Sequence, residues 1–227
     1  MNTLMKTSML TASLFAIGTS AQAVTVFSDD FDAAGNVVGT GTFANAWVNE
    51  EVGTPSTDTN TGIQAQSPLN TAGNQYVFFN VGDQGDGPGS NTREGAIYID
   101  TGYANAAGTI YTLTYDILDR DDTAFAGTVL AELYVGDPTG SGVLLGSFTA
   151  TQATLGGLAN AANNSHGYVG TGDAGNIFIR FHAPEAPTGF DQARLDNVSL
   201  DAVVPEPGSL ALLGLGSIAM LRRRRSM

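Results

Sequence analysis

The sequence contains no cysteine, and its only lysine is Lys6, near the N-terminus. Without cysteine there can be no disulfides, thiol catalysis or cysteine-ligated zinc. Between residues 24 and 203 the chain has four arginines against 21 acidic residues, a net charge of −17. Such a surface repels nucleic acid and anionic lipid, because phosphate binding depends on clustered basic side chains. We therefore expect no nucleic-acid partner, and cations are the natural counter-charge.

The first 23 residues have the layout of a secretory signal peptide. One lysine precedes an apolar stretch from Met9 to Ile17, and Ala21-Gln22-Ala23 forms a small-x-small cleavage site. Ala21 and Ala23 are therefore the predicted cleavage residues. We expect an exported mature chain that begins at Val24.

The last segment, residues 204–227, combines two prolines, an apolar run and a basic end. Residues 208–221 carry no charge and, as a helix, would cover about 21 Å, which is short of a roughly 30 Å hydrocarbon core. Such a short hydrophobic helix can lodge transiently in the inner membrane if the arginines behind it stay at the cytoplasmic headgroups. This basic cluster consists of Arg222, Arg223, Arg224 and Arg225. A plain tail anchor is the alternative interpretation.

The residues before that run are Pro205, Glu206 and Pro207, which predict an exposed, extended stretch that a processing enzyme can grip. "PEP", then an apolar run, then a terminal arginine cluster resembles the PEP-CTERM sorting signal of Gram-negative, exopolysaccharide-producing bacteria. The resemblance covers about the last two dozen residues. It implies that an exosortase reads Pro205, Glu206 and Pro207, cuts near them, and releases or re-attaches the protein at the cell surface.

Between the two ends, residues 24–203 alternate apolar and polar side chains with period two. The clearest runs are "GTIYTLTYDILD", "TVLAELYVGD" and "NIFIRFHAP", and further strand candidates are "QYVFFNVG", "GAIYIDTG" and "GVLLGSFTAT". The pattern predicts an all-β fold, a single antiparallel, jelly-roll-like β-sandwich with little helix. Residues 53–74 are predicted to form a surface loop with at most one weak strand. Residues 149–164 are predicted to form a loop with at most one helical turn.

The two ends of this domain carry acidic strands, "VFSDDFD" and "ARLDNVSLDAV". The apolar period slips between Leu195 and Val198, which predicts a bulge at Asp196 or Asn197. The pair of patterns resembles carbohydrate-binding-module-like jelly rolls. That resemblance implies adjacent first and last strands, and a structural Ca²⁺ held by Asp30 or Asp32 together with Asp196. Alternatively, Asp196 bonds only to backbone amides at the bulge.

No residue stands out as catalytic. His166 and His182 have no second histidine at a ligand spacing and no Gly-x-Ser-x-Gly nearby, and no carboxylate pair is distinguished from the other acids. We therefore expect a protein that is not an enzyme. Aromatic rings could stack on sugars or belong to the core; the candidates are Trp47, Tyr76, Tyr98, Tyr103, Tyr134 and Tyr168.

Together these patterns suggest an exported, non-catalytic surface or matrix protein that associates with exopolysaccharide in a biofilm. Two alternatives remain open at this point: a secreted glycan hydrolase or lyase, and a self-associating coat protein. A groove with two facing carboxylates would favour the hydrolase or lyase, whereas a flat surface with exposed aromatic rings would favour binding.

Overall fold

The computed structural model describes residues 22–32, 43, 45–53, 61–65, 75–81, 93–119, 128–151, 162–184 and 191–204. The predicted signal peptide through Ala21 and the C-terminal segment from Pro205, with its predicted helix, lie outside these residues. In the described part of the chain no helix is long and apolar enough to cross a membrane.

Within the described residues the chain forms eleven β-strands. They are β1 (Ala23–Asp29), β2 (Val48–Gly53), β3 (Thr61–Ala65), β4 (Gln75–Val81), β5 (Arg93–Ala104), β6 (Ile110–Asp119), β7 (Leu130–Val135), β8 (Val143–Thr149), β9 (Ala162–Val169), β10 (Asn176–Ala183) and β11 (Asp191–Val203). These boundaries include all six strand candidates identified from alternation. Two further strands fall in segments that were predicted to be mainly loops: β3 lies within residues 53–74, and β9 overlaps the end of residues 149–164.

The strands form two antiparallel sheets. The first sheet has the order β3-β4-β11-β6-β9, with β1 paired to the second half of β11. The second sheet has the order β2-β5-β10-β7-β8. The two sheets share one apolar core, so the prediction of a single antiparallel β-sandwich is confirmed.

Strand alternation decides which side chains enter the core. In β10 every second residue is fully buried, from Ile177 to Ala183, and in β6 the inward set begins at Tyr111 and ends at Ile117. The predicted inward face of β7 is likewise buried. Because successive side chains point to opposite faces, the remaining residues of these strands form the outer surfaces on which the candidate sites lie.

The first and last strands lie side by side, as the resemblance of the end strands implied. Ala23 is in register with Val203, and the pairing continues to Asp29 opposite Val198. The predicted signal-cleavage residue Ala23 and the last strand residue before the C-terminal segment are therefore neighbours. The two ends of this described part of the chain therefore lie at the same end of the first sheet.

Candidate functional site

The predicted bulge is present in β11, where the register with β6 shifts between Asp196 and Ser199. Asn197 has a φ of 52°, in the left-handed region that asparagine tolerates better than most residues. Its backbone N–H donates to Asp196 Oδ1 at 2.8 Å, and its side-chain Nδ2 donates to Asp116 Oδ2 at 2.8 Å. The bulge thus holds two carboxylates next to each other on the outer side of the first sheet.

Asp196 is an unusual acid, because it is 6% exposed and faces other acids. Burial raises the pKa of Asp196 to about 7, the hydrogen bond from the Asn197 backbone opposes this shift, and the negative charges of Asp32, Asp116 and Asp30 add to it. At neutral pH this site therefore carries a charge that is costly to maintain. A cation would relieve that cost.

The three predicted calcium ligands are thus electrostatic neighbours, but each already has a hydrogen bond. Asp30 Oδ1 accepts from the Asp32 backbone at 3.1 Å, and Asp32 Oδ1 accepts from the Gln75 backbone at 2.6 Å. Among the residues that the structure describes, no group of three or more acids or histidines converges as a ready metal cage. Carboxylate oxygens are ligands that suit Ca²⁺. Asp196 also accepts a hydrogen bond from the Asn197 backbone N–H, which is the alternative role predicted for Asp196.

The role of Asp29 was not predicted from the sequence; its carboxylate accepts three hydrogen bonds. Its Oδ2 accepts from Trp47 Nε1 at 2.8 Å and from Asn45 Nδ2 at 2.7 Å, and its Oδ1 accepts from the Phe31 backbone at 2.8 Å. An open cleft of about 400 Å³ lies beside it, lined in part by Asp30, Asn45 and Asn197. Asp29 fastens the end of β1 to the segment before β2.

The placement of Trp47 corrects its proposed role in ligand stacking. The residue is 5% exposed, and its ring packs against Phe27, Phe31 and Phe181 with centroids 5.6 to 6.3 Å apart. No ring face is left for a sugar to stack on, because the core and the hydrogen bond to Asp29 use the whole side chain. Trp47 is a core residue, which was the alternative interpretation.

A different set of aromatic and charged side chains occupies the outer face of the second sheet. The register places Tyr98 of β5 and Glu132 of β7 on either side of Arg180 in β10, and it places Tyr134 of β7 beside Phe178. The Tyr98 and Phe178 rings have centroids 6.4 Å apart and are half-buried. We call this surface the ring-and-ion face; its members are Glu50, Tyr98, Glu132, Tyr134, Phe178 and Arg180.

Arg180 fixes the centre of this face through two carboxylates. Its Nε and Nη2 donate to the two oxygens of Glu50 at 2.8 and 3.2 Å, and its Nη1 donates to Glu132 Oε2 at 2.7 Å. Burial opposes the charge, but the hydrogen bonds to Glu50 and Glu132 outweigh it and raise the pKa of Arg180. Bidentate pairing of this kind holds all three side chains in one arrangement.

Glu132 accepts two further hydrogen bonds. Ser147 Oγ donates to its Oε1 at 3.3 Å, and Tyr134 donates its hydroxyl hydrogen to Oε2 at 3.4 Å. Burial and the charge of Glu132 raise the pKa of Tyr134, so this hydroxyl stays protonated. The result is a pre-arranged surface of flat rings next to fixed donors and acceptors.

The two histidines lie apart from this network. His182 Nε2 is 3.4 Å from Glu94 Oε2 at the rim of the second sheet. His166 of β9 stacks on Phe148 of β8 with centroids 4.6 Å apart and planes 5° apart, where the edges of the two sheets meet. Neither histidine has a hydrogen bond to a serine among the contacts of the described residues.

His166 predicts a pH dependence of stability. Burial lowers the pKa of His166, and within the described residues its buried Nε2 has no hydrogen-bond partner. The unfolded chain therefore binds this proton more readily, so the stability from this group is full above the ordinary pKa of 6.5 and falls as the pH decreases. Replacement His166→Phe should flatten the fall in melting temperature below that pH relative to wild type. Parallel curves for the two proteins would contradict this assignment.

Comparison with known proteins adds one motif and a fold. Residues 203–225 match the PEP-CTERM protein-sorting motif. No curated protein matches the chain. The solved structures that it resembles include the Stig cyclase Fisc from Fischerella sp. TAU, with a TM-score of 0.57 and 16% identity over 82% of this chain and 100% of that one. At this identity the likeness concerns the fold.

Two further solved structures resemble the domain less closely. The CBM22-1 xylan-binding domain of Paenibacillus barcinonensis Xyn10C has a TM-score of 0.47 and 9% identity, covering 82% of this chain and 99% of that one. The K1 cleaved adhesin domain of Lys-gingipain from Porphyromonas gingivalis W83 has a TM-score of 0.46 and 16% identity, covering 79% and 97%.

The motif match accounts for the sequence pattern of the C-terminal segment, which lies outside the residues that the structure describes. Pro205, Glu206 and Pro207 lie within it, as do the apolar run and the arginine cluster. It indicates that the chain is exported and processed through this segment by an exosortase. The protein is therefore a β-sandwich domain that ends in a PEP-CTERM protein-sorting motif.

Proposed function

We propose that the domain binds polysaccharide without transforming it, after an exosortase has delivered the chain to the surface or biofilm matrix of a Gram-negative bacterium. The sorting motif supports the delivery. The ring-and-ion face is the observation that carries the binding. It is a rigid, half-exposed surface on a sheet rather than on a loop, and pre-arranged surfaces bind with a smaller loss of conformational freedom.

The chemistry of this face suits a sugar chain. Each sugar ring has an apolar C–H side and a rim of hydroxyl groups. Tyr98 and Phe178 supply flat apolar area. Arg180, Glu132 and Tyr134 supply donors and acceptors whose positions are fixed by their mutual hydrogen bonds. Flat rings flanked by fixed polar groups can orient successive sugars of a polymer.

The same geometry favours binding over hydrolysis. A glycosidase needs one carboxylic acid that is protonated at its working pH and one carboxylate that is ionised. Glu50 and Glu132 instead share Arg180 at 2.8 and 2.7 Å. Both carboxylates are therefore held in ion pairs with the same guanidinium.

We further propose that the acidic site at the bulge holds a structural Ca²⁺. The supporting observation is that the Asp196 carboxylate is buried and lies near the negative charges of Asp30 and Asp32. Calcium accepts carboxylate oxygens in flexible geometries, and its charge would stabilise the ionised form of Asp196. The ion would join the end of β1 to the bulge of β11 and so act on stability rather than on sugar contacts.

Sorting predicts two cleavage events. The protein recovered from the surface and medium of its host should have an intact mass that lacks Met1 to Ala23 and the residues beyond the PEP motif. Replacement of the motif, Pro205→Ala with Pro207→Ala, should leave the signal peptide processed and the C-terminus uncut in the inner membrane. An uncut C-terminus in the wild-type chain would instead make the ending a plain anchor.

Removal of a ring from the ring-and-ion face should weaken polysaccharide binding. Tyr98→Ala or Phe178→Ala removes apolar stacking area, and each is expected to cost about 1.5 kcal/mol, roughly tenfold in Kd. The measurement is calorimetric titration of the full chain with the host's exopolysaccharide. Phe148→Ala is the matched control, because Phe148 is also partly exposed but packs at the β8–β9 edge. Equal losses for Phe148→Ala and Tyr98→Ala would argue against this face.

A further inference from the structure

The ring-and-ion face is acidic although an arginine lies at its centre. Arg180 bonds to Glu50 and Glu132, so two carboxylates already more than balance its single charge. The register and the alternation of β5 place Glu94 and Asp100 on the same outer side. Four carboxylates thus share this side with one guanidinium.

Among the side chains that the structure describes, the rest of the domain offers this face no second arginine and no lysine. Residues 24–203 contain 21 acids, four arginines and no lysine. Apart from Arg180, the other arginine whose side chain the structure describes is Arg194, which is 8% exposed and packs over the Tyr76 ring on the first sheet. A polymer of uronic acids or sulfated sugars would therefore approach against the field of the whole domain.

We propose that the ring-and-ion face selects glycans that carry free amino groups, namely amino-sugar polymers that are at least partly without N-acetyl groups. This inference rests on the polysaccharide binding proposed above. An ammonium group on the sugar is attracted by the carboxylates around Arg180. It is also attracted by the faces of Tyr98 and Phe178, because aromatic rings bind cations over their faces. Acetylation removes the charge and both attractions.

The test compares three hexasaccharides with the full chain, below neutral pH, where the sugar amine is protonated. The probes are glucosamine, N-acetylglucosamine and galacturonic acid hexamers, titrated by calorimetry at low and at physiological salt. We expect the glucosamine hexamer to bind about tenfold more tightly than the acetylated one at low salt, and the galacturonate hexamer to bind most weakly. The preference should shrink as salt rises, because salt screens exposed charges.

Two variants with the same change in net charge separate a site from general attraction to an acidic protein. Glu94→Gln removes a carboxylate beside His182, on the same outer side of the second sheet as this face, and Asp201→Asn removes one from β11 in the other sheet. We expect the preference for glucosamine to fall several-fold in Glu94→Gln and to stay unchanged in Asp201→Asn. Equal falls in both variants would overturn the assignment to this face.

The remaining outcomes distinguish the two proposals. If the acetylated or galacturonate hexamer binds as tightly as the glucosamine hexamer, the amine selection is overturned while polysaccharide binding stands. If the host's exopolysaccharide binds and none of the hexamers does, the selection is overturned in the same way. If no glycan binds, including the host's exopolysaccharide, both proposals are overturned.

Discussion

Asp196→Asn is expected to raise the free energy of unfolding by about 3 kcal/mol at about pH 8 in calcium-free buffer. In the folded state the pKa of Asp196 is about 7, against 3.8 for an ordinary aspartate. Keeping this group ionised above pH 7 therefore costs the folded state about 4 kcal/mol. Asparagine avoids the charge and keeps the Oδ1 that accepts from Asn197, although its new buried amide costs about 1 kcal/mol.

The pH profile gives the sign of this effect. The wild-type domain should be most stable, as far as this group is concerned, below pH 3.8, and should lose that stability as the pH rises to about 7. The variant should lack this decline. Added Ca²⁺ should recover the stability of the wild type at high pH but have less effect on Asp196→Asn. Asp201→Asn, on the same strand, is the control. Denaturant unfolding that gives parallel profiles for wild type and Asp196→Asn would contradict the account of this site.

Arg180→Met should destabilise the domain by about 3 kcal/mol, because it leaves the buried Glu132 carboxylate without its cation. Glu132 is 6% exposed, whereas the Glu50 side chain is more accessible, so most of the loss comes from Glu132. The measurement is the free energy of unfolding at neutral pH.

A double variant provides the matched control for this prediction. Arg180→Met with Glu132→Gln removes both charges of the pair, and it should recover a large part of the stability lost in Arg180→Met. A loss under about 1 kcal/mol in the single variant would place these charges among ordinary solvated surface pairs. That result would contradict the account in which the Arg180 ion pairs give the ring-and-ion face a rigid centre.

The fold was predictable where the alternation of apolar residues was regular. The inward residues of β6, β7 and β10 could be identified because a sheet with one buried face enforces period two. The bulge at Asp196 was visible for the same reason, since an extra residue shifts the period by one. In these strands the local sequence was enough to identify the buried residues, because the alternation within each strand decides which side chains face the core.

The strand β3 was predicted only as a weak strand within a loop, and β9 was not recognised, because few of their residues are strand formers. β3 reads "TGIQA" and β9 reads "ANNSHGYV", with glycine, asparagine and serine that ordinarily mark turns. Tertiary pairing overrides this preference: β9 pairs with the long, strongly alternating β6 over eight residue pairs. Pairing with a distant strand leaves no mark in the local sequence.

The ring-and-ion face was missed because its members come from four strands. Glu50, Tyr98, Glu132 and Arg180 are far apart in sequence, and the antiparallel register alone brings them together. The one available signal was Arg180 itself, an arginine at an outward position between buried residues of "NIFIRFHAP". Similarly, the single tryptophan drew attention as a ligand contact, although its partner Asp29 and three aromatic rings fix it in the core.

Hydroxyl-radical footprinting of the full chain, with and without the host's exopolysaccharide, tests the central claim most directly. If the second sheet binds the polysaccharide, oxidation of Tyr98, Tyr134 and Phe178 should fall several-fold on binding, because a sugar chain excludes solvent from these rings. Phe148, which is 39% exposed at the β8–β9 edge, should react equally with and without the polysaccharide. Unchanged oxidation of the three face rings in the presence of bound polysaccharide would contradict the account.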